Sequence, residues 1–219
     1  MHVLTNEVLR EIGRRMPKVV VQSNSLQALL HAVSRCPLVT LLPDSVPRQT
    51  LPANLMVRQL PLPGMPHLGS GITWDRNGHK VLATPHLNEG VLSVIDMTDW
   101  SLVKQIRTDG PGFFLRSHET SPYVWADVFF GPHKDEMHII DKQSLEIVRT
   151  LNPAPGKTVA HTEFTRDGSH ALVSIWEDDG AVIVYDARTL EEVRRLPMKK
   201  PSGKYNVWNK IHFEEGTSH

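Results

Sequence analysis

Histidine is the residue that stands out for chemistry, with 12 copies in 219 residues against a single cysteine. Imidazole titrates near neutrality and is a common metal ligand, so the excess points to acid-base or metal chemistry without placing it. His79, His133, His138, His170 and His212 fall in turns or on polar faces and read as solvated. Their spacing forms neither H-x-x-x-H nor H-E-x-x-H, so no metal ligand set is assigned. His86 and His118 end strands in matching positions and read as histidines hydrogen-bonded between structural units. His67, beside Gly69 and Gly71, reads on its own residues as a turn histidine. Gly110-Pro111-Gly112 has the look of an anion-binding loop, but a lone Gly-Pro-Gly more often marks a tight turn. Cys36 alone excludes an intramolecular disulfide and the C-x-x-C-H attachment of a covalent haem.

The balance of charge narrows the partners. Lysine plus arginine equals aspartate plus glutamate, at 24 each, so no global field favours nucleic acid or an anionic membrane. The 40% apolar content suits a soluble globular chain, and no run approaches the roughly 18 apolar residues of a membrane helix. The N-terminal MHVLTNEVLREIGRR has acidic residues and no apolar core, so it does not read as a secretory signal. The expected compartment is the cytoplasm.

Two unlike segments must position these residues. In residues 1–62, Lys18–Gln22 and Leu38–Leu42 read as buried strands. Between them Ser25 is an N-cap, and Leu26, Leu29, Leu30 and Val33 recur at helical spacing. The expectation is a small βαβ unit, with Pro43, Pro47 and Pro52 preventing a further long helix and Val57–Leu60 as one more strand.

Residues 63–219 change to short β-rich runs with an internal period. GVLSVIDMTDWSLVKQI, DEMHIIDKQSLEIVRTL and GAVIVYDARTLEEVRRL superimpose, with Asp96, Asp141 and Asp186 at intervals of 45. Each reads as strand, Asp-initiated turn, strand. A second hairpin precedes the motif, with turns at Asn77-Gly78 and Asp167-Gly168, and the offset from Trp74 to Asp96 equals that from Phe164 to Asp186, at 22. Four strands per repeat of this length are the signature of a propeller blade. The expected fold is mainly β: an incomplete β-propeller of about three four-stranded blades, preceded by the βαβ unit. Gly110-Pro111-Gly112 becomes an interblade turn, and Glu191–Arg195 a solvated edge.

Two resemblances add to this. The stretch VVVQSNSLQALLHAVSRCPLVTLLPDSV resembles the C-terminal part of the effector-binding domain of LysR-type regulators, departing at Cys36-Pro37. The DNA-reading element of such proteins has no counterpart here, so nucleic-acid binding is not expected. In the repeat region, MPHLGSGITW, VLATPH, GPGFFLRSHETSPYVWAD, VAHTEFTRDG, VSIW and KPSGKYNVWNK together resemble the haem d1 domain of cytochrome cd1 nitrite reductases and of the dehydrogenase branch that finishes haem d1 synthesis. That resemblance implies an eight-bladed, periplasmic oxidoreductase domain whose partner is a tetrapyrrole. By it His67 is a distal-face catalytic histidine donating to a bound anion. His161 is a haem-facing residue, and Trp176 packs near the macrocycle, although interblade packing is an equal use of such a residue. Ser202 and Gly203 form a turn beside the haem carboxylates, where small residues permit close approach. Ser70 stands where the reductases carry an arginine, and neither the second distal histidine nor the axial ligand has a counterpart.

The expected function is therefore a haem d1-binding propeller fragment with a weak cofactor site and incomplete catalysis. The alternative is a non-catalytic fusion of two truncated reading frames, acting as an interaction or structural fragment. Roughly three blades leave flanks of several hundred Å² open, and at about 25 cal/mol per Å² this predicts self-association or a completing partner chain.

Overall fold

The computed structural model describes residues 2, 3, 26–35, 39, 40, 51, 53–55, 60, 62–67 and 70–202. The chain divides into two compact units, 1–61 with 97–101, and 62–96 with 102–219.

In the first unit, α1 (Leu26–Arg35) forms where the apolar spacing predicts it, with Leu30 buried and Gln27 and His31 exposed. β1 (His2–Val3) pairs antiparallel with β2 (Val39–Thr40). The described partner of β2 is thus an N-terminal strand absent from the sequence reading, because a two-residue pairing leaves no periodic trace. Lys18–Gln22, Ser25 and 57–59 lie outside the described residues.

The second unit contains three four-stranded antiparallel sheets. The first is β3 (Ile72–Arg76), β4 (His79–Pro85), β5 (Val91–Asp96) and β6 (Leu102–Arg107). The second is β7 (Leu115–Arg116), β8 (Tyr123–Asp127), β9 (Met137–Asp141) and β10 (Ile147–Leu151). The third is β11 (Val159–Phe164), β12 (His170–Ile175), β13 (Ala181–Asp186) and β14 (Glu192–Pro197). Strands neighbour one another in sequence order within every sheet, the meander of a propeller blade.

Local chemistry explains the 45-residue period. Asp141 Oδ1 accepts the N–H groups of Gln143 and Ser144 at 3.0 and 2.7 Å, and Asp186 Oδ1 those of Arg188 and Thr189 at 2.9 and 2.8 Å. Such Asp turns reverse the chain without help from tertiary packing. Four residues after each repeat Asp, the backbone turns left-handed: Trp100 at φ 60°, Leu145 at 59° and Leu190 at 64°. The hairpin at Asn77-Gly78 (φ 50° and 81°) has positive φ at both central residues, as a tight antiparallel turn requires.

Strand alternation builds the core between sheets. On the second sheet Val124, Ala126 and Ile140 pack toward the first, against Ile72, Trp74, Val81, Ala83 and Val94. Trp125, Met137 and Ile139 point the other way, against Phe164, Val173, Ile183 and Tyr185 of the third. Each such fully buried side chain contributes roughly 1.5–3 kcal/mol, and the second sheet is apolar on both faces because it has neighbours on both. Gly110 and Gly112 lie in the link from the first sheet to the second, where an added Cβ would stand 2.7 Å from Phe130 O and 2.7 Å from Asp127 O respectively. Close backbone approach explains glycine at both places.

Candidate functional site

The entering end of each first strand and the leaving end of each second strand lie together at one end of the sheets. His67 leads into β3, Phe113 and Phe114 into β7, and His161 lies on β11. Trp176 follows β12, whose last residue Ile175 pairs with Val159 of β11. Meander topology alone therefore gathers residues more than 100 positions apart.

His67 is fixed through its backbone N–H, donated to Pro85 O at 2.7 Å, and through Nδ1, 2.8 Å from Phe113 O. A carbonyl can only accept, so Nδ1 carries the proton, and Nε2 is the nitrogen left for other chemistry. The imidazole packs at a 52° tilt against Phe113 with ring centroids 4.2 Å apart. His161, 7% exposed, has a left-handed backbone (φ 49°). It falls where the β11–β12 register shifts between Ala160 and Glu163, and a bulge of this kind re-aims a side chain that regular alternation would send elsewhere. Its ring meets Phe114 edge-on at 4.8 Å.

The two histidines thus bracket one dipeptide, Phe113-Phe114, which is held by Asp127. Asp127 Oδ1 accepts the N–H groups of Phe113 and Phe114 at 2.8 and 2.9 Å, and Oδ2 lies 3.5 Å from the His161 N–H. The side chain is shut from solvent, and burial pushes its carboxyl up to about 7 against the opposing pull of those donors. Phe129 and Phe130 extend the aromatic surface, with Phe113 5.3 Å from Phe129 and Phe129 5.8 Å from Trp176. Trp176 is 42% exposed. Its indole belongs to this open aromatic surface and not to either interblade core.

The expected residues fare unevenly. His67, His161 and Trp176 come to one end of the sheets and are joined by the phenylalanine rings. Ser202 is exposed, two residues beyond Lys200, whose N–H donates to Glu177 O at 2.8 Å beside Trp176. Gly203 lies outside the described residues. Ser70, standing where an arginine was the family expectation, is buried with its Oγ unpartnered. His118 does bridge sheets, with Nε2 3.2 Å from Arg166 O. His86 instead stays inside the first sheet, 3.0 Å from Ser93 Oγ, and burial lowers its basicity. His138, read as solvated, is fully buried: its strand faces an adjoining loop that a linear reading cannot see.

Asp127 and the four phenylalanines were missed. The signal was present in VWADVFF (124–130), where one carboxylate interrupts an otherwise apolar strand end. Such a residue is either a turn former or, as here, a buried acceptor for backbone donors. A shallow cleft of about 300 Å³ lined by Asp75, Thr120, Lys142 and Gln143 opens at the opposite end of the sheets and shares none of these groups.

Consecutive four-stranded meanders packed face to face, with an imidazole-and-aromatic surface at one end, define this unit as part of a β-propeller. Residues 50–210 match the family described as Cytochrome D1 heme domain, and the chain belongs to that family. It is 60% identical over 169 residues to dihydro-heme d1 dehydrogenase of Pseudomonas aeruginosa, covering 77% of this chain and 34% of that protein. It is 31% identical over 146 residues to Protein NirF of the same organism, covering 67% of this chain and 35% of the relative. A solved structure of dihydro-heme d1 dehydrogenase NirN in complex with DHE superimposes with a TM-score of 0.70 at 62% identity, over 71% of this chain and 33% of that one. The chain spans about a third of the length of the relatives it matches. Among the described residues no helix is long and apolar enough to cross a membrane.

Proposed function

We propose that this chain binds a haem d1-type tetrapyrrole against the blade ends that carry His67, Phe113, Phe114, His161 and Trp176. The observation that carries the proposal is the convergence of His67 and His161 on one loop clamped by Asp127. Aromatic rings offer a flat apolar surface to a flat macrocycle, and the flanking imidazoles offer polar nitrogens to its centre or edge. His67, with Nδ1–H committed to Phe113 O, presents Nε2 as an acceptor or, when protonated, as a donor to an anion held on the macrocycle. Trp176 shields one edge from water. Ser202, with Gly203, would meet a peripheral carboxylate from the segment tied to Glu177. The bound group supplies redox chemistry, while these residues bind and orient it. Binding, and not the full reaction named for the dehydrogenase relative, is the activity assigned to the residues present.

Titrating the purified chain with haem d1 tests this. A saturable shift of the macrocycle absorption is expected, weakened at least about tenfold in His67→Ala and in Trp176→Ala, since loss of one good contact costs on the order of 1.4 kcal/mol. An unchanged spectrum with folded protein would overturn the proposal and leave the non-catalytic interaction reading.

A second reading concerns assembly. On the third sheet Leu172 and Val184 pair across strands on the face opposite the interblade core and remain half-buried, and β14 exposes Val193 and Leu196. We infer that a second copy or a completing chain covers this face. Sedimentation velocity should show dimers or larger species, and a compact monomer at high concentration would refute it.

A further inference from the structure

A cluster of ligating side chains outside the aromatic surface joins the exit of the first sheet to the second. Asp109 follows β6, and Glu136 and His138 lie at the start of β9. His138 is fully buried, with Nδ1 2.9 Å from Thr150 Oγ1. Its Nε2 lies 3.2 Å from the Asp109 backbone N–H and 3.3 Å from Asp109 Oδ2. Facing an N–H donor, Nε2 holds the lone pair and Nδ1 the proton. That one lone pair accepts the Asp109 N–H, so a cation at Nε2 would take the place of this hydrogen bond and draw on the adjacent Asp109 carboxylate. The 3.3 Å separation is close to the roughly 3.4 Å between neighbouring ligands around a tetrahedral ion with metal–ligand distances of about 2.0–2.1 Å.

Two further observations point the same way. Glu136 Oε2 is occluded from solvent and has no hydrogen-bond partner, an unfavourable state for a carboxylate oxygen. Among the described residues the ion-pair partners of Asp109 and Glu136 are His138 and His133, with no lysine or arginine at either. One ligand atom from each of Asp109, Glu136 and His138 lies within 4.8 Å of the others. His133 Nδ1, half exposed, lies 3.0 Å from Glu136 Oε1.

We propose that Asp109, Glu136 and His138 form a site for one divalent transition cation of the zinc type, which staples the exit of the first blade to the third strand of the second. A buried imidazole nitrogen favours such an ion over magnesium or calcium, which prefer oxygen donors. The site is independent of the tetrapyrrole reading.

The test is zinc titration of the intact metal-free chain by calorimetry, with thermal unfolding followed in parallel and cobalt as a spectroscopic substitute. Binding of one ion per chain is expected, with a rise of several degrees in Tm and visible d–d bands for cobalt. Asp109→Asn, at an exposed position that leaves the core intact, and His138→Gln should each weaken binding at least tenfold and abolish the Tm rise. Zinc binding that survives in both variants would be adventitious coordination by surface histidines and would overturn the proposal. So would an equal Tm rise with magnesium, or no rise with zinc at all.

Discussion

Replacing Asp127 by Asn tests the clamp beneath the two histidines most directly. Asparagine keeps an oxygen for the Phe113 and Phe114 N–H groups at 2.8 and 2.9 Å, but cannot ionise. In the folded chain the Asp127 carboxyl is pushed from 3.8 up to about 7 by burial, a difference worth on the order of 4 kcal/mol. Because the folded value lies above the unfolded one, the favourable contribution is whole below about pH 4 and is lost as pH rises through about 7. The variant lacks that loss. Urea unfolding of both proteins, followed by circular dichroism from about pH 4.5 to about pH 8.5, isolates the group because every other titration cancels in the difference. Asp127→Asn should be within about 1 kcal/mol of the parent at the acid end and more stable by about 2–4 kcal/mol above neutrality, with the difference levelling off there. Asp127→Ala, by contrast, strands two buried N–H groups and should cost about 2–5 kcal/mol even at the acid end. A difference between Asn and parent that is flat with pH would refute the reasoning, since the carboxylate would then be ionising as it does in water.

Two stability predictions follow from contacts elsewhere. Alanine at Gly168 (φ 71°) would place Cβ 2.3 Å from both His118 Nδ1 and Thr120 Oγ1, whereas at Gly78 (φ 81°) it meets nothing within 4 Å. Gly78→Ala should cost about 1–2 kcal/mol from backbone strain alone, and Gly168→Ala at least about 1.5 kcal/mol more, read from urea midpoints. Arg116 and Glu163, 2.5 Å apart and each 5% exposed, pair between the second and third sheets. Arg116→Met should cost about 3–5 kcal/mol by leaving a buried carboxylate, while adding Glu163→Leu should recover most of it. A double variant no better than the single would show that the loss is steric.

How much was legible follows from the range of each interaction. The 45-residue interval from Asp96 to Asp141 to Asp186 was readable because the turns are local, Asp141 and Asp186 each closing their own within three residues. Alternation along 181–186 and the Asn77-Gly78 turn likewise declare strands and hairpins locally, so four-stranded blades were decided by sequence. α1 was decided the same way, by apolar residues at helical spacing.

What the sequence left open depends on neighbours distant along the chain. The roles expected of His67 and His161 came through resemblance to a family; their common contact with Phe113-Phe114 arises only when the meanders stack. Asp127 carries no local mark of its role, and its two backbone donors reach it because Gly112 lets the chain pass 2.7 Å from its carbonyl, measured to where a Cβ would stand. His138 reads as solvated when assigned to a turn or polar face, yet it is buried because the loop after β6 folds over it. Hydrogen bonds that close within a turn are encoded locally, whereas burial is set by whatever packs on top, and here the covering residue, Asp109, is 29 positions away. The sequence determined the blades; their stacking decided which histidines reach the aromatic blade ends and which are enclosed.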